Sequence, residues 1–248
     1  MPRVPVLSRP KVARYFGFTG ATPRVEVTSD ASLLITSDID IQVLFQRTSA
    51  VQFGALMTRL DFFGNAYGFF FSIENQVTNR LNYRWSPTGA AGGLVSRNTS
   101  TTFVPVALGT PIWLRVTHDV DNGASGNDIR FFWGSHNGTV NPPAAWTQIG
   151  ATVTTAGVTT ISNPTTQGVA VGSFGSGASQ ALPTGAKIYR GIVKNGIGGP
   201  IIVDLDASNL DYSTNPPKEP AGNRNVTISG GVASLKTRPT ASGRVSAP

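Results

Sequence analysis

The feature that most narrows the fold is a two-residue alternation of apolar and polar side chains, broken repeatedly by Gly and Pro. Across residues 37–47, Ile39, Ile41, Val43 and Phe45 alternate with Asp38, Asp40 and Gln42. Across residues 111–120, Ile112, Leu114 and Val116 share one face while Trp113, Arg115 and Thr117 share the other. Ile129, Phe131 and Trp133 repeat the pattern. Successive side chains of a strand point to opposite sides, so this period belongs to sheets with one buried face. Further strands are expected at 54–60, 67–73, 80–85, 101–106, 148–154, 168–172, 186–194 and 200–205. Between them stand turn clusters such as Phe63-Gly-Asn-Ala66, Ser86-Pro-Thr-Gly89, Asp121-Asn-Gly123, His136-Asn-Gly138 and Asn141-Pro-Pro143. Asn-Gly supplies the positive φ that tight hairpins need. The 28 Gly and 17 Pro exceed what helix interiors tolerate. The chain is therefore expected to be all-β, an antiparallel two-sheet sandwich of the jelly-roll kind.

Charge divides the chain into three parts. The net charge is +7. Residues 1–25 carry Arg3, Arg9, Lys11, Arg14 and Arg24 without an acid, and read as an extended basic arm. Residues 215–248 carry Lys218, Arg224, Lys236, Arg238 and Arg244 against Glu219 alone. Within them, 215–225 reads as a linker, 226–229 and 232–236 as one small hairpin about Gly230-Gly231, and the end as a basic tail. The sandwich is expected to span 26–214 and to be slightly acidic. A nucleic-acid domain would cluster its cations on a folded face, often among stacking aromatics, so nucleic acid is not an expected partner. Acidic neighbouring proteins are the expected targets of the arms.

The absence of cysteine excludes disulfides, thiolate zinc and cysteine nucleophiles. Met1-Pro-Arg-Val-Pro-Val-Leu7 lacks the apolar core of a secretory signal. No apolar run approaches the roughly 18 residues of a membrane span. The expectation is a chain made in a cytoplasm and not inserted in a membrane. The glycosylation-like triplets at Asn98, Asn137 and Asn225 are then coincidental.

Several segments, taken in order, resemble a known family. They are Ser37-Asp-Ile-Asp-Ile41, Leu81-Asn-Tyr-Arg-Trp-Ser-Pro-Thr-Gly89 and Trp113-Leu-Arg-Val-Thr-His-Asp-Val-Asp-Asn-Gly123. Ile129-Arg-Phe-Phe-Trp133, Trp146-Thr-Gln-Ile-Gly150, Thr154-Thr-Ala-Gly-Val158 and Ile188-Tyr-Arg-Gly-Ile-Val-Lys-Asn-Gly-Ile-Gly198 follow. Together with the step from Gly196 to Asp206, this succession resembles the laminin-G/concanavalin A-like jelly rolls of minor tail proteins in phages of actinobacteria. The resemblance covers residues 21–213 and leaves the arms aside. It implies two stacked antiparallel sheets, a place on the virion and no enzymatic role. It assigns no ligand-binding residue.

Candidate chemistry is sparse. Asp38, Asp40 and Gln42 stand where sandwich-fold glucanases carry Glu-x-Asp-x-Glu on one strand face, an arrangement that lets nucleophile and acid flank a glycosidic bond. Gln42 can neither donate nor accept the catalytic proton, so an ordinary half-exposed strand is expected. The run Asp119-Val-Asp-Asn-Gly-Ala-Ser-Gly-Asn-Asp128 has oxygen ligands suited to calcium but sits where the alternation demands a hairpin. His118 and His136 are the only histidines and read as a strand and a turn residue. Gly172-Ser-Phe-Gly-Ser-Gly177 lacks the Lys-Ser/Thr and helix of a phosphate loop. Tyr67, Trp85, Trp133 and Trp146 stand near turns, where rings could stack on sugars, although large aromatics more often fill cores.

The sequence thus leads to a non-enzymatic virion protein without cofactor, metal or catalytic residues. A minor tail protein displaying a lectin-like sandwich for assembly and host-surface glycan contact is the first expectation. A capsid decoration protein clamping the shell through its arms is the second, and a divergent glycan hydrolase the third. The expected partners are other virion proteins, further copies of the chain and a host glycan.

Overall fold

The computed structural model describes residues 14–19, 22–35, 37–48, 54–61, 66–74, 80–90, 93–98, 107–162, 164–173, 181–230 and 232–233. Strands β1 (Phe16–Phe18), β2 (Arg24–Val27), β3 (Ile39–Gln46), β4 (Gly54–Asp61), β5 (Ala66–Ile73) and β6 (Leu81–Trp85) come first. They are followed by β7 (Val95–Asn98), β8 (Pro111–Asp119), β9 (Gly126–Ser135), β10 (Thr147–Gln148) and β11 (Val153–Ala156). The last are β12 (Val169–Val171), β13 (Lys187–Asn195), β14 (Ile201–Asp206), β15 (Val226–Ser229) and β16 (Val232–Ala233). A 3-10 turn, Ala31–Leu33, lies between β2 and β3.

The strands form two antiparallel sheets. The larger runs β10-β9-β8-β3-β13-β1-β16, with β11 also on β9 and β14 also on β13. The smaller runs β15-β2-β12-β4-β5-β6-β7. Ile39, Ile41, Val43, Phe45, Leu114, Val116, Ile129 and Phe131 project from the larger sheet into the shared core. Leu56, Met57, Phe69, Phe71, Tyr83 and Trp85 meet them from the smaller one. Each such side chain contributes roughly 1.5–3 kcal/mol on burial; alternation aims most of them inward, and a register shift in β4 between Ala55 and Met57 lets the adjacent Leu56 and Met57 both join the core. The all-β two-sheet sandwich expected from the alternation is the fold of this chain.

Three expectations change. Residues 14–19 and 22–25 of the expected 1–25 arm do not lie outside the sandwich, because Phe16 and Phe18 are buried in the core and β2 pairs with β12 and β15. Burial of Phe16, Phe18, Val25 and Val27 outweighs the charge of the stretch, and Arg24 lies on the opposite face of β2 from Val25 and Val27. The expected hairpin about Gly230-Gly231 is not formed. Its two strands enter different sheets, β15 pairing with β2 and β16 with β1. The chain steps between the sheets at Gly230, where φ is +69° and a Cβ would fall 1.9 Å from the Thr22 carbonyl oxygen. The expected 215–225 linker is a packed turn around the buried carboxylate of Glu219, tied by isolated bridges Asp211–Lys218 and Lys218–Asn225.

Smaller differences are local. The strand expected at 148–154 is divided into β10 and β11 by Gly150, at φ +71°. Strand β7 carries no clear alternation and was not anticipated. The strand expected at 101–106, most of the 172–177 glycine cluster, and residues 1–13 and 234–248 of the arms lie outside the described residues.

Candidate functional site

The residues singled out for chemistry do not converge. Asp38 caps the β8–β9 hairpin, its Oδ1 accepting from the Val120 amide at 2.9 Å. Asp40 projects from the outer face of β3 and is fully buried. Arg115 donates to it through Nε and Nη2, both at 2.9 Å, and Gln42 Nε2 approaches both carboxylate oxygens at 3.2 Å. The Gly198 amide completes the shell at 3.2 Å. A carboxylate so engaged orders a sheet. Replacing Asp40 by Ala is expected to cost about 2–3 kcal/mol, less than a fully buried pair because Arg115 is partly exposed. Urea unfolding measures this, and a loss below 0.5 kcal/mol (about the scatter of surface substitutions) would contradict it.

The Asp119–Asp128 run is a hairpin, as the alternation requires. Asp128 accepts from Thr154 Oγ1 at 2.7 Å and Asn122 Nδ2 at 3.1 Å, bonds that hold its carboxyl below the usual range. Burial and the nearby carboxylates of Asp38, Asp128 and Asp121 hold Asp119 above it. Asn122 and Asp121 turn back on the amides of Ala124 and Gly123. Among the described residues, no three His, Cys, Asp or Glu side chains gather as a metal would need. The histidines are far apart: His118 faces the core opposite Ile129, while His136 follows the other end of β9, roughly 20 Å along the ladder.

Of the four aromatics, Trp85 is buried in the core and Trp133 packs against its edge, while Tyr67 is buried in a separate cluster with Ala55, Leu60 and Phe70. Trp146 lies on the outer face of the larger sheet. There the register of the larger sheet creates a row across five strands, Ile192, Gln42, Arg115, Phe132 and Gln148. The guanidinium of Arg115 lies between two rings, 5.3 Å from the centroids of both Phe132 and Trp146. Trp146 meets the buried Trp113 edge-on at 6.4 Å. The segment carrying Trp146 folds down because position 134 is Gly: a Cβ there would lie 2.4 Å from Pro143 Cγ. Arg190 pins the same segment, donating to the Val140 carbonyl and Asn141 Oδ1 at 3.2 Å while its fork holds Asp204 at 2.7 Å.

Two polar atoms under this platform are unused. Gln42 Oε1 and Trp113 Nε1 are buried and have no hydrogen-bond partner among the described residues. A buried unsatisfied polar atom costs about 1–3 kcal/mol, so each is a standing demand for a donor or an acceptor.

The smaller sheet offers a different surface. Two shallow depressions share a wall of Thr165 and Thr166. One, of about 310 Å³, is lined by Glu26, Thr28, Ser29 and Thr227, and the other, of about 430 Å³, by Thr88, Ser162 and Pro164. Arg59 fixes the wall from beneath by donating to the carbonyls of Pro164, Gln167 and Leu33. No ring lines either depression, and Glu26, the one acid, is paired with Arg24.

Sequence reasoning singled out Trp146 and placed Arg115 and Trp113 on one face, but missed Phe132. Arg115 comes to lie between its two rings only through the pairing of β8 with β9 and the return of the chain before β10.

No protein-family model matches the chain. No curated protein matches it either. Solved structures align with it at low identity. Domains LG4-5 of the mouse laminin alpha1 chain are 11% identical over 94% of this chain and 50% of that one, with a TM-score of 0.49. The heptameric SAP-like pentraxin of Limulus polyphemus is 8% identical over 92% and 96%, at 0.44. The CBM40 of the Ruminococcus gnavus IT-sialidase, bound to alpha2,3 sialyllactose, is 18% identical over 74% and 90%, at 0.46.

Proposed function

We propose that this chain is a non-catalytic binding module of a virion surface, whose sandwich holds a glycan on the outer face of the larger sheet. The observation that carries the glycan reading is the Trp146–Arg115–Phe132 stack on the outer face of the larger sheet. Sugar rings present C–H faces that pack on an indole. Arg115, locked by Asp40, holds the rings apart at fixed spacing and lowers the ordering cost of binding. The virion setting is supported by the ordered sequence resemblance across residues 21–213, with a minor tail position ahead of capsid decoration.

The test is a glycan array probed with the full chain and with Trp146→Ala. Binding of at least one glycan class, lost at least 30-fold in the variant at unchanged melting temperature, is the expected result; stacking of this kind is worth about 2 kcal/mol. Retention of binding by Trp146→Ala would refute the site, and a blank array for the intact chain would refute the glycan. Immunogold labelling of virions addresses the setting: gold at the tail supports the minor tail position, gold on the head the capsid one, and unlabelled particles overturn both.

A further inference from the structure

Among the described residues, strand β14 pairs with β13 alone. Of the strands with a single neighbour it is the longest, six residues against four in β7, β11 and β15 and two in β10 and β16. It opens on the β-branched run Ile201-Ile-Val203. Unpaired amides and carbonyls along such an edge are a template for another chain.

Two side chains close the free side. The Asp204 amide donates to Glu219 Oε2 at 3.3 Å, and the Ile202 carbonyl accepts from Arg224 Nη2. An antiparallel neighbour would offer a carbonyl to the first and an amide to the second. Carboxylate and guanidinium stand in those two places, joined to each other at 2.6 Å. The register slips at Ile202, with Val203 opposite Val193 and Ile201 opposite Lys194, and its carbonyl meets the guanidinium.

The pair is held from behind. The 219–224 turn closes through the Glu219 amide on the Arg224 carbonyl and the Asn223 amide on the Glu219 carbonyl, both at 3.0 Å. A Cβ at Gly222 would fall 2.6 Å from Arg224 Cζ, so the turn needs Gly where the guanidinium passes. Arg224 Nη1 reaches Ser32 Oγ at 2.6 Å. The bridges of this segment run Asp211–Lys218–Asn225, so it lies beside β14 without adding a strand to it. Ile201 and Leu34, both exposed, flank the pair next to Ile202 and near Ser32.

The edge is also self-complementary. In a two-fold antiparallel pairing centred on Val203, Ile202 of each copy stands opposite Asp204 of the other. Each Asp204 amide then meets the other copy's Ile202 carbonyl, the same two groups that Glu219 and Arg224 fill. Ile201 would lie opposite Leu205, and Asp206 opposite Pro200, so no acid faces an acid.

We propose that β14 is a latent pairing edge for a second copy of this chain, and that the Glu219–Arg224 pair is the plug that keeps it closed. The plug satisfies the edge by side chains and leaves no template. Without it, the same amide and carbonyl demand a strand. The Trp146 face takes no part, so this edge behaves the same whether or not that face holds a glycan.

Glu219→Ala/Arg224→Ala removes both partners and strands no charge. Sedimentation should show self-association at least about 10-fold stronger than that of the native chain. Amide exchange read by NMR should find Asp204 open to solvent in the dilute variant and protected again in the concentrated one. A variant that melts cooperatively yet associates no more than the native chain overturns the proposal. Association that leaves the Asp204 amide unprotected does the same, because the contact then lies elsewhere. The native chain supplies a measurement that no misfolding can spoil. Its Asp204 amide should exchange at least about 100-fold more slowly than in the unfolded chain, and a rate near the unfolded one would show an open edge with no plug.

Discussion

Lowering the pH from 7 to 4 is expected to cost the fold about 3 kcal/mol through one side chain, His118. Its ring is buried between the sheets, 4.6 Å from Trp85 and 5.4 Å from Tyr83, with Nδ1 3.4 Å from the Tyr83 hydroxyl and Nε2 without a hydrogen-bond partner among the described residues. Burial disfavours the imidazolium and pushes the group down to about 3. In the unfolded chain it titrates near 6.5, so between pH 6.5 and 3 the unfolded state binds the extra proton. Stability is therefore full above pH 6.5, falls as the pH drops through that window, and levels off below about 3, where both states are protonated. The complete effect is of order 3–5 kcal/mol at 1.36 kcal/mol per pH unit. Tyr83, itself raised by burial, stays neutral throughout. Asp30 and Asp128, held below the usual carboxylate range, lose their contributions only as the pH falls through about 4 and lower, so the early part of the decline belongs to the histidines, the deeply buried His118 ahead of His136, which its partial burial also shifts down. Urea unfolding from pH 7 to 4 should show the slope in the native chain and lose most of it in His118→Leu. Equal slopes in both would dismiss the assignment.

Glu219→Ala is expected to lower stability by about 3–5 kcal/mol and the melting temperature by about 10 °C, because it strands a buried guanidinium. Glu219 is 1% exposed and Arg224 7%. Glu219 Oε1 accepts from Arg224 Nε at 2.9 Å, Arg224 Nη2 at 2.6 Å and the Gly222 amide at 2.7 Å, while Oε2 accepts from the Ala221 and Asp204 amides. Arg224 also donates to Ser32 Oγ at 2.6 Å and to the Ile202 carbonyl. The pair thus joins the 215–225 turn to β14 and to the 3-10 turn, and leads the chain into β15. Glu219→Gln, which keeps the shape and one acceptor oxygen but replaces the other with an NH2 donor and loses the charge, should fall between the native chain and Ala. Replacing both partners by Leu should restore much of the loss, since desolvation of the pair is then removed with its attraction. Thermal melting of the three variants decides, and a drop under 2 °C for Glu219→Ala would show that the pair does not hold the turn.

Both effects concern residues that look unremarkable in one dimension. His118 follows the alternation at Val116, and its period places it inward; nothing local says that Tyr83 and Trp85 of the other sheet will close over it. Glu219 and Arg224 lie in a stretch rich in Pro, Gly and Asn, the composition of a linker. Their distance in sequence is five residues, but their partners Ser32 and Ile202 are distant, and only those contacts turn a loop into a packed element.

The candidate site divides the same way. Trp146, Trp113 and Arg115 drew notice as an aromatic near a turn and an outward strand face. Asp40 drew notice for catalysis, and pairing with Arg115 across β3 and β8 gives it a structural role instead. Phe132 became visible only when the register placed it beside Arg115.

What the sequence alone determines here is the sandwich and the inward set of side chains. Period two needs only backbone geometry, and a slip of one residue would expose the whole core. It also determines the charge of the end segments, which is a property of composition. The tertiary structure decides everything that depends on which strand lies beside which: Phe16 and Phe18 drawn into the core from a basic arm, β15 and β16 sent to opposite sheets, and the Trp146–Arg115–Phe132 stack. Strand pairing is set by the summed burial of two whole faces, and that sum is not written in any local stretch of the chain.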